Sequence, residues 1–310
     1  MLTPLRIVPQ AKERVWGGSR LGRPVQLPVG ELWLAGPWLA VASGPHAGRT
    51  LDELAREVGE ELVGTAAPVG EGPRFPLLAK LIDPAAWLSV QVHPDDAIAR
   101  RLEGPGAVGK AEAWYVLDAA PGAELLLGTR RGVTADQVRT AISSAANERG
   151  TAIVDLMERI AVRPGDAFLV PAGTLHAVGP GLLLYELQQP SDLTYRVDDW
   201  GRPATPQRPL HTAQALASVA VRGPARGLGG PGRLVACPHF TLDALDGPAT
   251  VDPAGRTLHL VTAAGAPLEL VGVGWAERLG PLETVVVPAA AGPYEMRPGP
   301  GGRALLAALP

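Results

Sequence analysis

Short apolar runs broken by Gly and Pro constrain this chain most. Runs at 77–82, 88–92, 113–117, 124–127, 167–170 and 182–187 are each four to six residues long, and later ones follow at 258–261, 268–273 and 284–287. None has the length of an ordinary helix, and 38 Gly and 32 Pro among 310 residues supply the turns between them. Many short strands with frequent turn signals predict a mainly β chain, a sandwich or small barrel. The regular strand–helix alternation of a doubly wound sheet is absent. With 46% of residues hydrophobic, the chain can fill a core, so the turn residues do not imply disorder.

A few segments predict inserted helices. Residues 50–62 open with Thr50 and Glu53 at capping-box spacing and place Leu51, Leu54, Ala55, Val58 and Leu62 on one face. Further helices are expected at 94–102, 134–146 and 212–221, with Asp95 and Asp96 as cap residues for the first. The stretch GPARGLGGPG, 223–232, reads as a linker between a motif-rich unit, 1–222, and a smaller β tail, 233–310, with the character of a degenerate second copy.

The balance of 31 acids against 28 bases carries no footprint for nucleic acid or an anionic membrane. The lone Cys237 excludes an internal disulfide and a Cys-rich zinc site. No secretory signal opens the chain and no apolar run reaches membrane-spanning length, so a cytoplasmic location is expected. Of the 28 bases only Lys12, Lys80 and Lys110 are lysine. Where arginine has replaced lysine almost everywhere, a surviving lysine suggests a chemical reason.

Three blocks bear chemistry. In LSVQVHPDD, 88–96, strand alternation gives Gln91 and His93 one face. In GKAEAWYVLD, 109–118, Glu112 opens a strand and Lys110 shares its side. In GDAFLVPAGTLH, 165–176, Gly165 turns the chain, a strand follows, and Pro171 and Gly173 shape the turn that delivers His176. Gln91, His93, Glu112 and His176 together offer two nitrogen and two oxygen ligands, a set suited to zinc, with Mn, Fe, Co or Ni as alternatives. The Trp residues, Tyr195 and His211 read as packing or support, and Arg202 and Arg208 as solvated.

The third block is similar to the second motif of the cupins, with Pro180 where an Asn is usual. The order of blocks resembles that of the type I phosphomannose isomerases: KERVWGGSRL at 12–21, FPLLAKLIDPAAWLSVQVHPDD at 75–96, GKAEAWYVLD, the long VPAGTLHAVGPGLLLYELQQPSDLTYRVDDWGR at 170–202, and RPLH at 208–211. The resemblance implies a cupin-type sandwich or jelly roll with a second, smaller C-terminal sandwich. It implies a metal-dependent enzyme that interconverts mannose 6-phosphate and fructose 6-phosphate through a cis-enediol. It implies one Zn²⁺ per chain on Gln91, His93, Glu112 and His176. Catalytic positions carry over as Arg196, Lys110, Glu186 and Asp192, and substrate-binding positions as Ser89 and Lys80. A sugar phosphate is then the partner, and the chain a monomer or small homo-oligomer. Alternatives are an isomerase of another aldose, or a catalytically reduced cupin that only binds metal or sugar phosphate. GELWLAGP at 30–37 departs from the family's usual Glu-Ser-Trp-Glu, with Leu32 and Leu34 in place of Ser and the second Glu, and predicts a pocket with fewer polar contacts. GKAE also lacks the commoner Thr beside the glutamate.

Overall fold

The computed structural model describes every residue except 1, 24, 69–71, 146–150 and 224–227. Its strands form four sheets in which neighbours pair antiparallel. A seven-stranded sheet runs Leu228–Gly229, Asp166–Val170, Glu112–Ala119, Leu182–Gln188, Leu78–Ile82, Val29–Ala35 and Gln10–Gly18 from edge to edge. A five-stranded sheet runs Tyr195–Asp198, Val90–Val92, His176–Val178, Glu124–Thr129 and Met157–Ala161.

An apolar layer joins these two sheets. Trp114, Val116, Phe168, Leu182 and Leu184 come from the larger sheet, and Leu125, Leu127 and Val178 from the smaller. Side chains two residues apart share a face. Glu112 therefore continues the file of Trp114 and Val116, and Glu186 that of Leu182 and Leu184. Carboxylates replace apolar groups at one end of the sandwich interior, and that end is the candidate site.

The outer faces are covered on both sides. Val138, Ile142, Ile153 and Ala215, from helices Ala135–Ala145, Thr151–Leu156 and Thr212–Ser218, pack on Val90, Val92, Leu126 and Val197 of the smaller sheet. Leu81, Ala113, Tyr185 and Leu187 of the larger sheet pack on Leu242, Leu260, Val286 and Leu305 of a six-stranded C-terminal sheet. That sheet covers a four-stranded one through Val261, Val285, Leu306, Leu270 and Met296, completing the second sandwich. Its edge strand is Leu5–Arg6, paired with Val285 and Val286, so the N-terminus is built into the C-terminal half.

The mainly β expectation holds, with inserted helices and a second sandwich. Differences are local. The helix expected over 50–62 breaks into Leu51–Val58 and Glu60–Val63, because Gly59 takes φ 56°. Thr50 and Glu53 do form the reciprocal cap. Asp95 caps Asp96–Glu103 through Ile98 N, whereas Asp96 accepts from Gly109 N and Gln189 Nε2 and so braces the loop before Glu112. The helix expected to reach 146 ends at Ala145; residue 146 lies outside the described residues, as do 224–227 of the expected linker. Leu228–Gly229, within that stretch, pairs with Ala167 and Asp166. Thr151–Leu156 and Met157–Ala161 carried no clear signal in the sequence.

Two predictions follow from this packing. Gly173 sits at φ 85°, and a Cβ there would lie 3.0 Å from Ser218 O. Gly173→Ala is expected to cost about 1–2 kcal/mol in urea unfolding. In the C-terminal sandwich, burial lowers the His259 pKa from 6.5 to about 4, and its Nδ1 lies 2.8 Å from the Tyr294 hydroxyl. Below pH 6.5 the unfolded chain binds a proton that folded His259 refuses. Its contribution is intact above 6.5 and falls by up to roughly 1.4 kcal/mol per pH unit down to about pH 4. His259→Phe should flatten that part of the stability–pH curve.

Candidate active site

Both sheets contribute to one cluster. His176 pairs with Gln91 across adjacent strands, and His93 follows the end of the Gln91 strand. Gly173 N donates to His93 O at 2.8 Å, which ties the turn before His176 to the segment carrying His93. Glu112 arrives from the facing sheet. Its oxygens lie 3.4 Å from His93 Nε2 and 3.2 Å from His176 Nε2. One ligand atom from each of these three residues falls within 4.8 Å of the others, and all three side chains are buried.

The chemistry of this cluster fits a divalent metal. Burial disfavours the imidazolium in both histidines, lowering His93 to about 3 and lowering His176 as well. With the proton on Nδ1, His93 donates to Leu193 O at 2.8 Å and His176 to Thr174 O at 2.9 Å. Each Nε2 then turns a lone pair toward the Glu112 carboxylate, the arrangement that prepares an imidazole for a metal. Burial opposes ionisation of Glu112, but Lys110 beside it outweighs that effect and holds the carboxyl well below its ordinary range. Neither Glu112 oxygen accepts a hydrogen bond, although both are buried. Facing acceptors of this kind call for a cation between them. Gln91 places Nε2 3.1 Å from His176 Nε2, while its Oε1 accepts from the Ser89 hydroxyl at 3.1 Å. Rotating that amide by half a turn would exchange the two atoms and present an oxygen ligand, with the hydroxyl able to serve as acceptor instead.

A cavity of about 160 Å³ opens beside the cluster, lined by Gln91, Lys80, Lys110, Glu186, Asp192 and Arg208 among others. Lys110 Nζ is 3.0 Å from Glu112 Oε2, 3.0 Å from His93 Nε2 and 4.0 Å from Glu186 Oε1. Lys80 Nζ is 3.0 Å from Glu186 Oε1 and 3.6 Å from Glu31 Oε2. Burial pushes the Glu186 carboxyl up, and the nearby Glu112 charge adds to it, against the two lysines. Burial works against the charged form of Lys80, yet Glu186 and Glu31 raise its pKa above that of an ordinary lysine. Glu31 is held at about 2: burial opposes its charge, and Lys80 and Arg14 more than offset that.

The positions expected from sequence are thus gathered unevenly. Gln91, His93, Glu112, His176, Lys80, Lys110 and Glu186 interlock, and Asp192 borders the same cavity. Ser89 is buried behind Gln91 and is not among the cavity-lining residues. Arg196 stands opposite Gln91 in the sheet, but its Nη1 donates to Pro209 O at 2.9 Å and it does not line the cavity.

Several lining residues were not anticipated as site residues. Arg14 and Trp16 share a face of the edge strand, and Glu31 joins Arg14 at 2.9 Å. Arg208 is not solvated; it binds Asp199, which also takes Arg202. The departure at 30–37 falls elsewhere than expected. Leu34 is buried and Leu32 packs in the layer between the larger sheet and the C-terminal half, and Glu31 is the residue of that segment that borders the cavity. Trp38 packs on one side only, its ring centroid 5.7 Å from that of Trp33, and is 51% exposed.

No described helix is long and apolar enough to cross a membrane. Residues 5–122 match the family model described as phosphomannose isomerase type I, catalytic domain. The mannose-6-phosphate isomerase of Streptococcus mutans is 37% identical over 240 residues, covering 73% of this chain and 70% of its own. The probable mannose-6-phosphate isomerase GmuF of Bacillus subtilis is 39% identical over 232 residues, covering 71% and 70%. The crystal structure of the mannose 6-phosphate isomerase from Bacillus subtilis superposes with a TM-score of 0.79 at 30% identity, over 99% of each chain. Motif order, site geometry and these likenesses agree: the chain belongs to the type I phosphomannose isomerase family.

Proposed function

We propose that this chain is a mannose-6-phosphate isomerase, an aldose–ketose isomerase that interconverts mannose 6-phosphate and fructose 6-phosphate. The observation that carries this reading is the unbroken run of buried charges from Glu112 through Lys110 and Glu186 to Lys80, joining a metal-competent cluster to a polar cavity. The reaction moves a proton between C2 and C1 through a cis-enediol, and it needs an acid/base group and positive charge near the developing oxyanion. In this reading Gln91, His93, Glu112 and His176 hold one Zn²⁺, in a protein that works as a monomer or small homo-oligomer in the cytoplasm. The bound metal supplies Lewis acidity toward the sugar oxygens.

The roles of the chain's own groups follow from their surroundings. Glu186 Oε2 accepts from Trp114 Nε1 at 2.8 Å, which fixes the carboxylate plane. Its buried Oε1 faces Lys80 Nζ at 3.0 Å and Lys110 Nζ at 4.0 Å, and in this reading it is the oxygen that takes up and returns the proton. Lys110 donates to the enediolate oxygen or passes a proton to it. Lys80 keeps Glu186 in place by its ion pair and, as a substrate-binding residue, presents its charge to the cavity. Asp192 orients sugar hydroxyls at the wall. Ser89 acts through Gln91 by holding its amide. Arg196 stabilises charge from the neighbouring strand. The division into a metal-binding unit, 1–222, a linker, 223–232, and a degenerate cupin-like unit, 233–310, belongs to the same proposal.

The test is an assay of protein stripped with chelator and reloaded with Zn²⁺ or other divalent ions, using mannose 6-phosphate. Turnover is expected with metal and not without it; no turnover with any metal overturns the reading. His93→Ala should abolish bound metal by elemental analysis and lower turnover roughly a thousandfold. Glu186→Gln should keep the metal and lower kcat by about 10²–10⁴. Loss of metal in that variant would instead make Glu186 a support for the cluster.

A further inference from the structure

The backbone amides of Gly109, Lys110 and Ala111 lie just ahead of Glu112, and each finds a different acceptor. Gly109 N donates to Asp96 Oδ1 at 2.7 Å, Lys110 N to Pro94 O at 2.9 Å and Ala111 N to Gln189 Oε1 at 2.9 Å. Asp96 and Pro94 belong to the segment that follows His93, and Gln189 to the segment that runs on to Asp192. Gln189 closes the ring, because its Nε2 donates to the same Asp96 Oδ1 at 3.1 Å. Its partners fix the way the amide points: a carboxylate needs a donor, and a backbone N–H needs an acceptor. The segments approach so closely that a Cβ on Gly109 would lie 2.5 Å from Asp96 N.

Gln189 is 5% exposed and does not line the cavity, so it acts on the chemistry only through its partners. Its own segment is docked by other bonds. Gln189 N donates to Ala111 O at 3.1 Å, and Ser191 Oγ to Val108 O at 2.8 Å. Without the polar atoms of the Gln189 side chain, residues 189–193 keep those anchors, and with them Asp192 and the Leu193 O that takes His93 Nδ1. What is lost is a tie between 94–96, which follows His93, and 109–111, which carries Lys110 and leads into Glu112. Lys110 Nζ reaches both His93 Nε2 and Glu112 Oε2 at 3.0 Å, a fit that depends on the register of these two segments. A displacement of about 1 Å in such a constellation costs roughly a hundredfold in rate.

We propose that Gln189 and Asp96 form a brace that positions Lys110 and Glu112 against His93, holding the cluster in its metal-binding geometry before a metal arrives. Both are positioning residues. The catalytic part of the proposal rests on the isomerase reading above, and the metal-binding part on the cluster alone.

The experiment uses wild type, Gln189→Met, Asp96→Ala, Asp96→Asn and the double variant Gln189→Met with Asp96→Ala. Met matches the length of Gln without its donor or acceptor. The readouts are Zn²⁺ affinity by competition with a chromophoric chelator, amide exchange over residues 106–112 in metal-free protein, and kinetics with mannose 6-phosphate. Gln189→Met and Asp96→Ala should each weaken Zn²⁺ binding by about tenfold to a hundredfold and lower kcat by a similar factor, with KM near wild type and faster exchange. Asp96→Asn, whose Oδ1 still accepts both N–H groups, should stay near wild type in all three. The double variant should be no worse than Asp96→Ala, because both residues act as one unit. If Gln189→Met and Asp96→Ala melt lower yet keep wild-type Zn²⁺ affinity and kcat, the contact is merely structural and the proposal is overturned. An Asp96→Asn variant as impaired as Asp96→Ala overturns it too, since charge rather than hydrogen-bond geometry would then be at work. If wild type binds Zn²⁺ but does not turn over mannose 6-phosphate, the isomerase reading fails, and affinity and exchange still decide the brace. Should Gln189→Met not fold, Asp96→Ala against Asp96→Asn decides the matter by the same readouts.

Discussion

Everything at this site depends on a line of opposite charges kept out of water. Crossing the larger sheet strand by strand, Glu112, Glu186, Lys80, Glu31 and Arg14 come from five consecutive strands, and Lys110 precedes the first. Glu112, Lys110, Glu186, Lys80 and Glu31 are all nearly inaccessible to solvent. A buried charge without a partner costs several kcal/mol. Glu112 is tolerable because Lys110, just before its own strand, faces it, and Glu186, Lys80 and Glu31 because the next strand supplies the opposite sign. Removing one member leaves its neighbours exposed to that cost. Pairing with Lys110 keeps Glu112 ionised at the metal cluster, whereas burial, and then the Glu112 charge, raise the proton affinity of Glu186 against the two lysines.

The layers explain why the line can exist. Apolar packing on both sides of the larger sheet makes the sheet stiff enough to hold charged side chains in register. Among the described residues the C-terminal sandwich contributes none to the cavity lining, yet its packing on Leu81, Ala113, Tyr185 and Leu187 covers the back of the very strands that carry Lys80, Glu112 and Glu186. Its part is to support the site from behind.

Much of the site was legible in the sequence because its ligands sit in short motifs. Gln91 and His93 alternate on a strand, Lys110 and Glu112 do the same, and the Gly165–His176 spacing encodes a strand and two turns. Lysine scarcity singled out Lys80 and Lys110, both of which proved to be buried partners of carboxylates. Arg14, Glu31 and Arg208 were harder to see. They lie outside the three ligand-bearing blocks, and an Arg on an edge strand or in a loop looks like any solvated charge. Leu32 and Leu34 looked like losses from the pocket because the sequence did not say which side of their strand faces it.

The amino-acid sequence alone determined the class of the fold, the ligand types and their order, because strand alternation and turn chemistry are local properties. It determined that any metal must be held by imidazole and oxygen, since Cys237 is the lone thiol. The tertiary structure decided which charges meet. That Lys80 meets both Glu186 and Glu31, and that Arg208 is fixed on Asp199 rather than solvated, depends on strand order and loop packing across long separations. Those contacts are set by the burial of the whole sandwich, and no window of sequence contains them.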